Sequence, residues 1–82
     1  MTRDGIRRAI IEGLGNIAPE TDPASIAADA DVREALDIDS MDFLNFVIAL
    51  HQTLKVEIPE ADYPRLLTIG GATDYLAAKL GT

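Results

Sequence analysis

The stretch Asp37-Ile38-Asp39-Ser40-Met41-Asp42-Phe43-Leu44-Asn45-Phe46-Val47 divides the chain in two. Before it, from Glu20 to Asp39, acids and small residues succeed one another with no long helical pattern. After it, Phe43, Phe46, Val47, Leu50 and Leu54 recur at helical spacing, which predicts a helix from Ser40 to about Leu54. Asp39, or Ser40 itself, is a good N-cap. Asp42 puts a carboxylate in the first turn, where free amides and the positive end of the helix dipole favour it. Ser40 is therefore expected at a solvent-facing helix start, a place that also suits a phosphate ester. An Asp-Ser pair ahead of a helix is by itself most often only a cap, so the rest of the chain has to decide.

The 82 residues make one small domain, 1–82, which buries a modest share of its surface. There is no cysteine, so disulfides and thiolate metal sites are excluded, and stability has to come from apolar packing. Any reactive thiol would have to arrive on a cofactor. The formal net charge of −7 argues against nucleic acid and against anionic membrane surfaces. Eight acids between Glu20 and Asp42 face a single base, Arg33, so a basic partner would be steered to the approach to Ser40. The opening Met1-Thr-Arg-Asp-Gly5 lacks the apolar run of a signal peptide, and no stretch reaches membrane-spanning length. The cytoplasm is the expected compartment and a monomer the expected state.

Ile6, Ala9, Ile10, Gly13, Leu14 and Ile17 form one apolar stripe, predicting an amphipathic first helix. Thr2 can cap it, Gly13 and Gly15 weaken its end, and Pro19 stops it. Arg3, Arg7 and Arg8 lie off the stripe and read as a solvated face. From Ala18 to Asp39 the spaced apolar residues Ile26, Val32, Leu36 and Ile38 predict an ordered connection pinned to the core. Asp31-Val-Arg-Glu34 resembles a capping box and predicts one short turn over Val32–Leu36. Beyond the central helix, Val56-Glu-Ile58-Pro59 reads as an extended turn. Tyr63, Leu66 and Leu67 suggest one short helical turn, with Pro64 tolerable only in its first turn. Thr68 caps a last helix carrying Ile69, Ala72, Thr73, Leu76, Ala77 and Leu80, which Gly81 ends. Gly70 and Gly71 leave room for another helix to approach. The fold class is all-α: a small antiparallel bundle of three main helices plus one short one.

A second row on the central helix, Met41, Leu44 and Ile48, falls at i, i+3 and i+7 and cannot share the first face. It is either a second buried side or an exposed apolar strip beside Ser40 for a partner; periodicity does not choose. Catalytic apparatus is not evident. His51, the only histidine, has no nucleophile or orienting acid at a recognisable spacing and reads as solvated. A calcium loop started at Asp29 would need Gly sixth and Glu twelfth but meets Glu34 and Ser40. No glycine pattern cradles a nucleotide.

Leu36-Asp37-Ile38-Asp39-Ser40-Met41-Asp42, then Phe46-Val47-Ile48-Ala49-Leu50, then Val56-Glu57-Ile58-Pro59, together resemble an acyl carrier protein. The order and spacing carry the resemblance over nearly the whole chain, through Asp74-Tyr75-Leu76. It implies that Ser40 is esterified by 4′-phosphopantetheine from coenzyme A. The transfer would be made by a separate magnesium-dependent holo-carrier-protein synthase, a phosphopantetheinyl transferase, whose metal Asp39 helps to orient. The arm's thiol would then carry an acyl group as a thioester between acyl-loading and acyl-using enzymes. The chain itself would be a carrier and not an enzyme. Met41, Asp42, Leu44, Asn45 and Ile48 are the expected partner surface.

Departures from the family pattern refine this. Met41 replaces the usual Leu and stays apolar and flexible. Asp37 replaces a Gly, and Asp tolerates left-handed geometry better than most residues. Phe43 stands where fatty-acid carriers generally have something smaller, beside the cavity that receives acyl chains. Asn45, His51 and Gln52 stand where they place glutamates, which favours a specialised acyl or fatty-acid pathway over the ordinary one. A peptidyl or aryl carrier would more often show Gly-Gly-Asp-Ser. An unmodified helical interaction module is the reading from outside the carrier class.

Overall fold

The computed structural model describes residues 2–82. Four helices form in chain order: α1 over Arg3–Ile17, α2 over Val32–Leu36, α3 over Ser40–Leu54 and α4 over Ile69–Leu80. Two 3-10 stretches, Pro23–Ser25 and Glu60–Leu66, lie in the connections. The described residues contain no strand. α1 packs on both α3 and α4, giving the expected all-α bundle.

α1 begins where Thr2 accepts a hydrogen bond from the Gly5 amide, as its position predicts. Its predicted stripe faces the core, with Ile6, Ile10 and Leu14 fully buried. The glycines do not loosen its end. The helix runs through Gly13 and Gly15 to Ile17, because tertiary packing outweighs propensity. α3 packs tightly against Gly13: a Cβ there would lie 3.2 Å from the Phe46 ring, which is itself fully buried. Arg3, Arg7 and Arg8 are exposed, and Arg3 pairs with Asp74 across to α4.

The long connection is ordered in the manner its apolar residues predict. Val32 and Leu36 are buried, and Ile26 and Ile38 pack half-buried against the core. Backbone bonds tie it to the far side of the molecule, from Val32 N to Leu67 O at 2.8 Å and from Gly70 N to Ala28 O at 2.9 Å. Gly70 therefore admits a loop and not a helix: a Cβ there would lie 3.1 Å from Ala28 O. Gly71 is as tight against its own cap, with Thr68 Oγ1 2.7 Å from the position of a Cβ.

Pro64 is another correction. It lies inside the seven-residue 3-10 segment and not in its first turn. Its missing amide leaves the Ala61 carbonyl without its i+3 donor. Ala61 is exposed, so water can serve that carbonyl, and the break is tolerated.

Candidate functional site

The site is built at the joint between α2 and α3. Asp31 caps α2, its Oδ1 accepting the Arg33 amide at 2.8 Å. That backbone hydrogen bond is the main reason the Asp31 carboxyl is held below its ordinary value; the Arg33 side chain adds to it. The capping box is half-made, since Glu34 makes no reciprocal bond. α2 ends at Asp37, which takes left-handed geometry with φ 53° and ψ 47°. This is the turn for which Asp substitutes for Gly. The Ile38 amide reaches back to Arg33 O at 3.1 Å and closes the end.

Two residues later α3 starts. Asp39, not Ser40, is its N-cap: Asp39 Oδ1 accepts the Asp42 amide at 2.8 Å, and Asp39 O accepts the Phe43 amide at 3.0 Å. Ser40 is thus the first helical residue. It is exposed, and among the described residues its hydroxyl has no hydrogen-bond partner. The chain's other serine, Ser25, is also exposed, but its hydroxyl donates to Asp22 O at 2.7 Å. One serine hydroxyl is engaged locally, and the other stands free at a helix start.

Along α3, Phe43, Phe46, Val47, Leu50 and Leu54 are buried as their spacing predicts. The second row divides. Met41 is 64% and Ile48 43% exposed, the large apolar side chains most open to solvent among the described residues, while Leu44 is half-buried. Asn45 and Gln52 are exposed beside them. His51 is exposed but not free: its Nδ1 lies 2.6 Å from Val56 O. A carbonyl only accepts, so Nδ1 carries a hydrogen and the ring fastens the turn after α3. The contact spans a left-handed Lys55, φ 56°, which sequence periodicity does not reveal.

A groove of about 300 Å³ opens beside Ser40, between α3 and the 3-10 segment. Phe43, Leu44, Tyr63 and Leu67 line it, and Arg33 from α2 and Glu60 from the 3-10 segment stand on it as its charged groups. The sequence reading gathers Ser40, Asp39, Asp42 and Leu44; of these Ser40 and Leu44 line the groove, and Asp39 and Asp42 are joined by the cap hydrogen bond at the start of α3. It misses Arg33, Tyr63 and Leu67 as neighbours of Ser40, because they meet it only through the fold. Phe43 is buried, its ring centroid 6.0 Å from that of Phe46. No helix among the described residues is long and apolar enough to cross a membrane.

The family described as "phosphopantetheine attachment site" matches residues 6–76. Similar proteins include the acyl carrier protein of Campylobacter curvus, 31% identical over 78 residues, covering 95% of this chain and 94% of that one. The acyl carrier protein of Bdellovibrio bacteriovorus is 31% identical over 74 residues, covering 90% and 88%. That of Lactobacillus johnsonii is 38% identical over 55 residues, covering 67% and 69%.

Proposed function

The chain belongs to the acyl carrier protein family, whose members carry 4′-phosphopantetheine, and we propose that Ser40 is its attachment point in a single carrier domain spanning residues 1–82. The observation that carries this is the free, exposed Ser40 hydroxyl on the first residue of α3, set against the engaged hydroxyl of Ser25. In the transfer the Ser40 O–H bond breaks and an Oγ–P bond forms with the phosphopantetheine phosphate of coenzyme A. The bond to the adenosine bisphosphate half breaks, and a base on the synthase takes the hydroxyl proton. When bound, the arm supplies the thiol that this cysteine-free chain lacks, and so the thioester.

The chain's own residues present the site. Asp39 spends Oδ1 on the Asp42 amide and fixes the start of α3; its other oxygen remains free for the synthase's metal. The acids leading up to Ser40 steer a basic synthase, while Arg33 is the sole base among them. Met41 and Ile48, with Asp42, Leu44 and Asn45, form the surface offered to acyl-loading and acyl-using enzymes. The chemistry belongs to those enzymes, and this chain is a carrier, working as a monomer in the cytoplasm.

The lack of a carboxylate at Asn45, His51 and Gln52 supports a specialised acyl pathway. Their positions are where the family's fatty-acid members place glutamates for basic docking sites. Co-expression with a promiscuous synthase and intact-mass measurement tests the attachment. One added phosphopantetheine supports it, and an unchanged mass refutes it.

A further inference from the structure

The surface around Ser40 is not of one sign. The chain has no Lys or Arg between Ala9 and Leu54 except Arg33, and Arg33 stands with Ser40 on the rim of the same groove. Arg65, the base of the 3-10 segment, is drawn over the Tyr75 ring, its guanidinium 5.1 Å from the centroid. Among the residues lining the groove, Arg33 is the one base.

The backbone, not the charge, holds Arg33 in place. Its amide donates to Asp31 Oδ1 at 2.8 Å, and its carbonyl accepts the Ile38 amide at 3.1 Å. Neither bond uses the side chain. The guanidinium has five donors, and its one side-chain partner is Asp31 Oδ2, a single long contact at 3.4 Å. Both side chains of that pair reach solvent, and exposed pairs of this kind hold weakly. The positive charge is therefore open to whatever docks beside Ser40, and the fold does not need it.

Steering from afar and docking at contact then differ in sign. At a distance the eight acids between Glu20 and Asp42 dominate, and a basic synthase is drawn in. At contact water leaves, near charges count for more, and a base on the synthase opposite α2 would meet Arg33. Like charges placed face to face suppress a wrong partner, and specificity is commonly built from such repulsive elements.

On the reading that Ser40 carries the arm, we infer that Arg33 is a specificity-determining residue for its attachment. The guanidinium rejects synthases whose carrier-docking surface is basic opposite α2, and admits one that is neutral or acidic there. It acts on docking and not on the reacting atoms.

The test is the rate of arm addition, followed by intact mass, with coenzyme A and a synthase whose docking surface is basic. Arg33→Glu should raise kcat/KM at least about threefold through KM, with kcat unchanged, because a contact charge acts on encounter and docking. Arg33→Gln should move the same way by a smaller factor, and it decides the matter if Arg33→Glu disturbs the α2 turn. Arg33→Lys should match wild type. Arg8→Glu makes the same change in net charge on the exposed side of α1, and its gain should be clearly smaller. Raising salt from about 0.01 M to about 0.15 M shortens the screening length from about 30 Å to about 8 Å and should shrink the Arg33→Glu advantage. Equal gains in Arg33→Glu and Arg8→Glu, a fall in kcat/KM in Arg33→Gln, or an advantage indifferent to salt would overturn the role of Arg33 while leaving the attachment standing. Absence of mass gain in every variant, wild type included, would overturn the attachment reading and this inference with it.

Discussion

The hydroxyl of Tyr75 donates a 2.6 Å hydrogen bond to Asp62 Oδ2, joining α4 to the 3-10 segment that walls the groove beside Ser40. The ring is buried, with the Arg65 guanidinium 5.1 Å from its centroid on one flank and the Lys79 ammonium at 5.5 Å. These contacts place the groove wall by way of α4. Burial, and then the bond to Asp62, push the Tyr75 phenol up to about 12. The folded value lies above the ordinary one of about 10, so this contribution is complete below pH ~10 and is lost as pH rises through about 12. In Tyr63→Phe, where Tyr75 is the remaining tyrosine, alkaline absorbance titration should show its midpoint near 12. A midpoint near 10 would contradict the contact. Tyr75→Phe should destabilise by about 1–3 kcal/mol, since it leaves the Asp62 carboxylate without its donor.

Two glycines should respond in opposite directions. Gly15 is helical with open space around it, so Gly15→Ala should stabilise by about 0.5–1 kcal/mol. Gly71→Ala would drive a Cβ to 2.7 Å from Thr68 Oγ1, the atom that caps α4. Losing that cap costs about 0.5–2 kcal/mol, more than the gain in propensity. Denaturant midpoints of the two variants measure the contrast.

Much of this was legible in the residues. Ser40–Leu54 could be bounded because the apolar period switches on at an N-cap, and Asp37 could be read as a left-handed turn. The pinning of the long connection was implied by its spaced apolar residues. What was not legible depends on contacts distant in sequence. Gly70 faces the Ala28 carbonyl, Gly13 faces Phe46, and Arg33 meets Ser40 at a groove whose other wall begins at Glu60. His51 looked solvated because its bond to Val56 O crosses a turn that periodicity cannot describe. Pro64 looked like a first-turn residue because an interior proline is tolerated only where the orphaned carbonyl reaches water.

Phe43 should limit how far an acyl chain enters the protein. A filled core resists insertion, so octanoyl and longer cargo should leave the resonances of Phe46, Leu50 and Leu66 close to those of the holo form. Phe43→Leu should open space, with large shifts at those residues under the same cargo. Its stability cost should be below the ~3–5 kcal/mol typical of truncating a buried Phe to Ala. Large shifts already present in wild type would show that Phe43 is no barrier.

The partner surface should depend more on apolar contact than on added charge. Among the described residues Met41 and Ile48 are the large apolar side chains most exposed to solvent, and burying such a side chain contributes about 1.5–3 kcal/mol. Ile48→Asp should therefore impair transfer to the native partner more than Asn45→Asp does. Asn45→Glu combined with Gln52→Glu should improve use by ordinary fatty-acid-synthesis enzymes with basic docking sites. Loading and turnover compared across both partner sets decide this. Wild type working with the fatty-acid enzymes as well as their own carrier would remove the case for a specialised pathway.

The central claim is that Ser40 carries the arm, and mapping the modified residue tests it most directly. Trypsin cleavage after Arg33 and Lys55 puts Ser40 in the peptide 34–55 and Ser25 in a separate one. After incubation with a promiscuous synthase and coenzyme A, fragmentation of the wild-type digest should place one phosphopantetheine on Ser40 and none on Ser25. Ser40→Ala, which retains the Asp39 cap and so the fold, should gain nothing. Modification found on Ser25, or persisting in Ser40→Ala, would contradict the account.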